Sequence, residues 1–246
     1  MPNFRLTLEY DGADFEGWQV QSGAHRTVQG ELETAIARVT GKRVRTVGAS
    51  RTDAGVHAQG QVVSALIATE LTPDVLQRAL NGTLPADAAV VEAERVPDDF
   101  HARYSARAKL YHYQVWNRPT RSPLRAARFL SVARQLDVAA MSKAAEAFVG
   151  RHDFAALQGA GSEVDCTVRT VVRLEIESDA SGEIAFWVEG HSFLRHMVRN
   201  LVGTLLEVGS GRRPVDSMAE LLAGGDRRWA GPTAPAQGLT LMRVRY

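Results

Sequence analysis

The order in which hydrophobic periodicity changes along this chain constrains its fold more than any other feature. Phe4, Leu6, Leu8 and Tyr10 alternate with Arg5, Thr7 and Glu9, the period-two pattern of a half-buried strand. Val28, Leu32, Ile36 and Val39 then recur at helical spacing, and Gly41 stops the helix. Strand-like segments follow at Arg43–Gly48 and Gln59–Leu66. Thr72-Pro73 opens a short helix with Val75, Leu76, Ala79 and Leu80 on one face, and Ala89–Val96 closes the set as a strand. The order is β-α-β-β-α-β. The second half repeats it: a strand at Lys109–Trp116, a helix over Val138–Val149, and alternation at Val172, Leu174 and Ile176. A turn at Ser178–Gly182 leads into a strand at Ile184–Glu189. Helices near Leu194–Val208 and Pro214–Ala223 precede a last strand, Leu239–Tyr246. Such an order closes into an antiparallel sheet with helices on one face. The expected fold is therefore α+β, two ferredoxin-like halves with largely antiparallel sheets packed around a central cleft. Residues 1–105 form the first half and 106–246 the second.

With 246 residues, 45% hydrophobic and 23% charged, the chain is globular rather than disordered or collagen-like. Its single cysteine, Cys166, excludes an internal disulfide and a thiolate-rich zinc site, and reads as a small packing residue. The amino-terminal segment carries Arg5 and Glu9 and lacks the apolar core of a signal peptide. No apolar run approaches the roughly 18 residues a membrane span needs. We expect a soluble protein of the reducing cytoplasm. The 29 basic and 28 acidic residues nearly cancel, but their distribution does not. From Phe100 to Leu136 there is no Asp or Glu, while Arg103, Arg107, Lys109, Arg118, Arg121, Arg125, Arg128 and Arg134 fall inside. Such a segment is either a solvated surface whose acids lie elsewhere or a phosphate-binding stretch. Arg dominance favours the second, because a guanidinium fork matches phosphate geometry.

One connection breaks the symmetry of the halves. The two central strands of the first half are linked by Gly48-Ala-Ser-Arg-Thr-Asp-Ala-Gly-Val-His-Ala58, longer than a hairpin needs and rich in polar groups. Arg51 and Asp53 lie two apart in it. Asp53 is either a catalytic carboxylate or an acceptor for backbone N–H groups in a turn. Phosphate-loop, dinucleotide and His-Glu-x-x-His signatures are absent. His191 and His196 read as surface or packing residues, and His57 as a cap for the loop. A metal-dependent phosphohydrolase built on Asp11, Asp14 and Asp53 is a competing arrangement, although Asp11 and Asp14 sit in a turn-like Asp-Gly segment.

The block Arg51-Thr-Asp-Ala-Gly-Val-His-Ala58 resembles the signature of the tRNA pseudouridine synthase A family. Other blocks agree in order. They are Tyr10-Asp-Gly-Ala-Asp-Phe-Glu-Gly-Trp-Gln-Val-Gln21, Phe100-His-Ala-Arg103, Lys109-Leu-Tyr-His-Tyr113 and Gly150-Arg-His-Asp-Phe154. Two more follow: Ser192-Phe-Leu-Arg-His-Met-Val-Arg-Asn-Leu-Val-Gly203 and Thr233-Ala-Pro-Ala-Gln-Gly-Leu239. The resemblance spans essentially the whole chain. Ser50 departs from it, standing where the family more often has Gly.

The resemblance implies isomerisation of uridine to pseudouridine at positions 38, 39 and 40, in the anticodon stem and loop of tRNA. It implies that Asp53 is catalytic, that the family's Tyr corresponds to Tyr111 and its helix Arg to Arg199, and that the enzyme is a homodimer. The chemistry suits these residue types. Breaking the bond from C1′ to N1 builds positive character at the sugar, much as in glycoside hydrolysis. An ionised carboxylate can stabilise that charge, attack it, or remove a sugar proton, and a guanidinium such as Arg199 holds it ionised. No redox change occurs, so neither metal nor organic cofactor is expected. A flipped uridine needs a group to fill its place or cradle it; Arg51 and Tyr111 are the candidates for substrate binding. Arg103, Arg107, Lys109, Arg118, Arg121, Arg125 and Arg128 are the expected grip on the RNA backbone. A non-catalytic RNA-binding module remains as an alternative that retains this grip without turnover.

Overall fold

The computed structural model describes residues 1–161 and 164–246, and they divide into two compact units. The first comprises Met1–Arg107 with Thr240–Tyr246, the second Ala108–Leu239.

In the first unit, β1 (Asn3–Tyr10) buries the alternating set predicted for it: Phe4, Leu6 and Leu8 are fully buried and Tyr10 nearly so. Helix α1 (Val28–Thr40) starts at Thr27, whose hydroxyl accepts the Gly30 N–H, and stops at Gly41. It contributes Leu32 and Ile36 to the core. The next strand, β2, is only Val47–Gly48, shorter than expected, whereas β3 (His57–Leu66) is buried along most of its length. Helix α2 (Pro73–Asn81) begins at the predicted Thr72-Pro73 and buries Leu76 and Leu80, and β4 (Ala88–Val96) follows. The pairing order is β4-β1-β3-β2, all antiparallel.

The second unit contains β5 (Ala108–Trp116), β6 (Leu130–Ser131), α3 (Val138–Ala145), β7 (Gly150–Asp153), β8 (Val168–Ser178), β9 (Glu183–Gly190), α4 (Met197–Gly209) and α5 (Ser217–Gly224). Its sheet runs β5-β9-β8-β7 with antiparallel neighbours, Tyr111 opposite Val188 and Tyr113 opposite Phe186. The short β6 lies parallel to β5. The helix expected to reach Val149 ends at Ala145 and tightens into a single 3-10 turn, Glu146–Phe148. Strand β7 was not legible, because Gly-Arg-His-Asp carries no apolar alternation.

Two expectations change. The final strand β10 (Leu239–Arg245), read as closing the second half, pairs in parallel with β3 of the first unit, Thr240 opposite His57 and Leu241 opposite Ala58. Because β2 pairs only with Val63 and Ser64, the start of β3 keeps an open backbone edge that β10 takes. Cys166, read as a packing residue, is exposed. None of the helices among the described residues is long and apolar enough to cross a membrane.

Helix α4 approaches the segment 230–234 closely. The N–H of Gly231 donates to the Thr204 hydroxyl at 2.9 Å, and a Cβ at Gly203 would lie 1.7 Å from the Pro232 carbonyl oxygen. Backbone, not a flexible side chain, blocks that space. Gly203→Ala is therefore expected to lower the melting temperature by roughly 5–10 °C, read by calorimetry, with the loss assigned to overpacking.

Candidate active site

The turn carrying Asp53 is held by the Tyr10–Trp18 segment of the same unit. The Val56 N–H closes the turn on the Asp53 carbonyl at 3.1 Å, with Gly55 at φ 79 in its third position. Thr52 is buried, with its hydroxyl paired to the Tyr10 phenol at 2.7 Å and its carbonyl accepting the Trp18 N–H at 3.0 Å. On the other side of Asp53, the Gly55 N–H donates to the Phe15 carbonyl at 3.3 Å. Gly17, at φ 91, makes this approach possible, since a Cβ there would meet the Thr52 carbonyl oxygen at 2.8 Å. Asp53 itself is half-buried and Arg51 exposed.

The base of the loop is held from β3. The buried Gln61 amide donates to the Ser50 carbonyl at 2.6 Å and accepts the Ser50 N–H at 3.3 Å. Ser50 is not among the positive-φ residues, so a serine sits there without backbone strain. His57 does more than cap the loop. It is fully buried, and its Nδ1 accepts the Gly12 N–H at 3.0 Å, with Asp11 Oδ1 also at 3.0 Å. Asp11 in turn accepts the Ala13 N–H at 3.1 Å, the bond pattern of an Asx turn.

An ion pair fixes the supporting segment. Arg26 forks onto Asp87 at 2.7 and 2.8 Å and lies over the Phe15 ring at 4.1 Å. The Arg26 hydrogen bond holds the Asp87 carboxyl below its ordinary value despite partial burial. The folded value being the lower one, this support is present at neutral pH and is lost as pH falls through it. Tyr10 reads from sequence as a buried strand residue and the Asp-Gly beside it as a turn, but nothing in the sequence gives Tyr10, Thr52 or Arg26 this supporting role.

In the second unit Tyr111 lies on β5, 5% exposed, with its ring edge-on to Phe193 at 5.2 Å between centroids. Its neighbour Tyr113 is fully buried and donates to the Pro235 carbonyl at 2.8 Å. Burial raises the Tyr113 phenol well above its ordinary value, a shift the nearby Arg199 charge partly offsets. Arg199 stands on the first turn of α4, half-buried rather than solvated, with its Nε donating to the Ala234 carbonyl at 2.7 Å. The α4 and 233–239 blocks are thus one structural piece. Buried Asn200 accepts the Thr233 hydroxyl at 2.6 Å and an Arg227 N–H at 3.1 Å, and its amide donates to the Leu157 carbonyl at 2.8 Å. His196, before α4, has the one positive φ of a non-glycine residue among those described, 60°.

The basic stretch divides by what its side chains touch. Arg118 donates to the Ser181 carbonyl at 2.7 Å and to that of Ala180, holding the β8–β9 turn. Arg125 donates to Glu183 at 2.7 Å and covers the Trp116 ring at 4.5 Å. Lys109 is buried, 8% exposed. Arg103, Arg107, Arg121 and Arg128 are exposed. Among the described residues no three His, Cys, Asp or Glu side chains gather as metal ligands.

A sequence profile for a family described as tRNA pseudouridine synthase matches residues 7–105 and 144–246. The chain belongs to this family. A relative from Myxococcus xanthus named tRNA pseudouridine synthase A is 48% identical over 246 residues, covering all of this chain and 92% of the relative. Another of that name, from Ruminiclostridium cellulolyticum, is 43% identical over 246 residues and covers both chains completely. Among solved structures, a chain in a crystal structure of an archaeal box H/ACA ribonucleoprotein complex matches with a TM-score of 0.39 and 13% identity. The match covers 82% of this chain and 44% of that one. In this pseudouridine synthase family member the Asp53 turn depends on Thr52. Thr52→Val is expected to cost about 1–2 kcal/mol in denaturant unfolding, because the hydroxyl pairing with Tyr10 is removed in a buried setting.

Proposed function

We propose that this protein isomerises uridine to pseudouridine at positions 38, 39 and 40 in the anticodon stem and loop of tRNA, with Asp53 as the catalytic carboxylate. What carries this reading is the Asp53 turn inside a family signature. Both flanking peptides are tied to buried partners, while the carboxylate between them is half-buried, not sealed in the core. A carboxylate so held has little freedom to lose on meeting the ribose, which is the condition for acting on a developing charge at C1′.

The other residues take roles that follow from their chemistry. Arg51, exposed two residues before Asp53, holds a phosphate or occupies the space a flipped uridine leaves. Tyr111 presents a ring to uracil and a hydroxyl near C5, where a proton must leave. Arg199 supplies the positive charge that keeps a carboxylate ionised in a desolvated setting, and its bond to the Ala234 carbonyl fixes its direction. Each unit serves as a ferredoxin-like half, and the working form is a cytoplasmic homodimer on one tRNA. The RNA backbone is gripped by Arg103, Arg107, Arg121 and Arg128, whereas Arg118, Arg125 and Lys109 serve the fold.

Pseudouridine mapping in tRNA after incubation tests the assignment. The wild-type protein is expected to modify all three positions, and Asp53→Asn to lose at least 1,000-fold in turnover while binding tRNA within a few-fold of wild type. Turnover by Asp53→Asn within 1,000-fold of wild type overturns the catalytic role. Replacing Arg121 and Arg128 together by Ala is expected to reduce the slope of log affinity against log salt by roughly 1.5, about 0.7–0.9 for each phosphate that is no longer neutralised. Arg125→Ala is expected to leave that slope unchanged and lower the melting temperature.

A further inference from the structure

We propose that His101 and Tyr104 form a rigid stacking platform for an unpaired base of the RNA substrate, a subsite separate from the Asp53 turn; this rests on the RNA-modifying function proposed above. Tyr104 is 77% exposed. A single exposed aromatic residue is ordinary on a protein surface. This one is immobilised. Its ring stacks on the His101 imidazole, with centroids 4.3 Å apart and planes 29° from parallel, and the Arg103 guanidinium lies 5.7 Å from its centroid.

The backbone beneath is tied down at each residue. His101 Nδ1 accepts the N–H groups of both Arg103 and Tyr104 at 3.2 Å, which fixes the imidazole relative to the phenol. The His101 N–H donates to the Ser105 hydroxyl at 3.1 Å, and the Ser105 N–H returns to the His101 carbonyl at 2.9 Å. Ala102, fully buried, anchors the loop to the sheet. Its N–H donates to the Ser64 hydroxyl at 3.1 Å, and its carbonyl accepts the Tyr246 hydroxyl at 2.8 Å. The Asn3 amide holds the Phe100 and Pro97 carbonyls at 2.9 and 3.1 Å. An aromatic ring held this firmly in solvent loses little conformational entropy when a partner stacks on it.

The chemistry that fits is a nucleobase. Base–aromatic stacking needs a flat exposed ring face, and a bordering guanidinium adds cation–π attraction. The His101 and Tyr104 rings contribute stacking and no charge neutralisation, which separates them from the grip assigned to Arg103, Arg107, Arg121 and Arg128.

Direct titration of tRNA by full-length protein, alongside steady-state pseudouridine formation, tests the platform. Tyr104→Ala is expected to weaken tRNA binding and raise KM by roughly 5- to 100-fold with kcat near wild type, and with the salt slope unchanged. Tyr104→Phe, which keeps the ring, is expected to restore both, whereas Tyr104→Leu, which keeps only apolar area, is not. Wild-type affinity in Tyr104→Ala overturns the proposal. So does a fall in oligomeric mass by sedimentation, which would make Tyr104 a contact between copies of this chain, or recovery by Tyr104→Leu, which would make it a hydrophobic protein contact. A wild-type protein that binds tRNA in a Tyr104-dependent way yet forms no pseudouridine would overturn the proposed function and leave the platform standing.

Discussion

A short turn bearing a carboxylate has no rigidity of its own, and the Asp53 turn gains its rigidity from the Thr52 peptide. Thr52 is buried with its hydroxyl on Tyr10 and its carbonyl on the Trp18 N–H, so the residue before Asp53 is fixed both as a side chain and as backbone. Breaking either bond would strand a polar group away from water. Everything around it serves that arrangement. The Arg26–Asp87 pair clamps the segment that supplies Phe15 and Trp18, buried His57 holds the Gly12 peptide, and the Gln61 amide holds Ser50. Three buried polar residues, Thr52, His57 and Gln61, thus support the loop of one half-buried carboxylate.

The second unit shows the same economy in a different material. Arg199 and the 233–239 segment are joined through backbone bonds and through the buried Asn200 amide, so a helix and an irregular strand behave as one piece. Tyr113, with its phenol pinned to the Pro235 carbonyl, ties β5 to that piece. Tyr111, which we propose meets the substrate, thus stands beside a tyrosine whose hydroxyl is bound to the Pro235 carbonyl. Alternation along a strand cannot distinguish the two, because both point to the same buried face.

Charge patterning along the chain does not reveal which charges are paired in the fold. The acid-free segment from Phe100 to Leu136 reads as either a solvated surface or a phosphate-binding stretch. Folding brings Glu183 to Arg125 and the Ala180 and Ser181 carbonyls to Arg118, so two of the expected phosphate ligands also make contacts within the protein. Linear charge patterning reports which charges neighbour one another along the chain. Ion pairing depends on which neighbour one another in space, and those partners lie about sixty residues away.

The element order of the first unit, the bounds of α1 at Thr27 and Gly41, and the start of α2 at Thr72-Pro73 were all determined by the sequence itself. These rest on local physics: periodic burial, capping and turn chemistry act within a few residues. The Asp53 loop stood out for the same reason, as a polar insertion where a hairpin would have sufficed. Tertiary structure alone decided the rest. It lays β10 on the open edge of β3, which no periodicity encodes because a strand's pattern names its faces and not its neighbours. It also turns Tyr10, Thr52 and Trp18 into the mount for a carboxylate, since hydrogen bonds across about forty residues exist only once the chain has closed on itself.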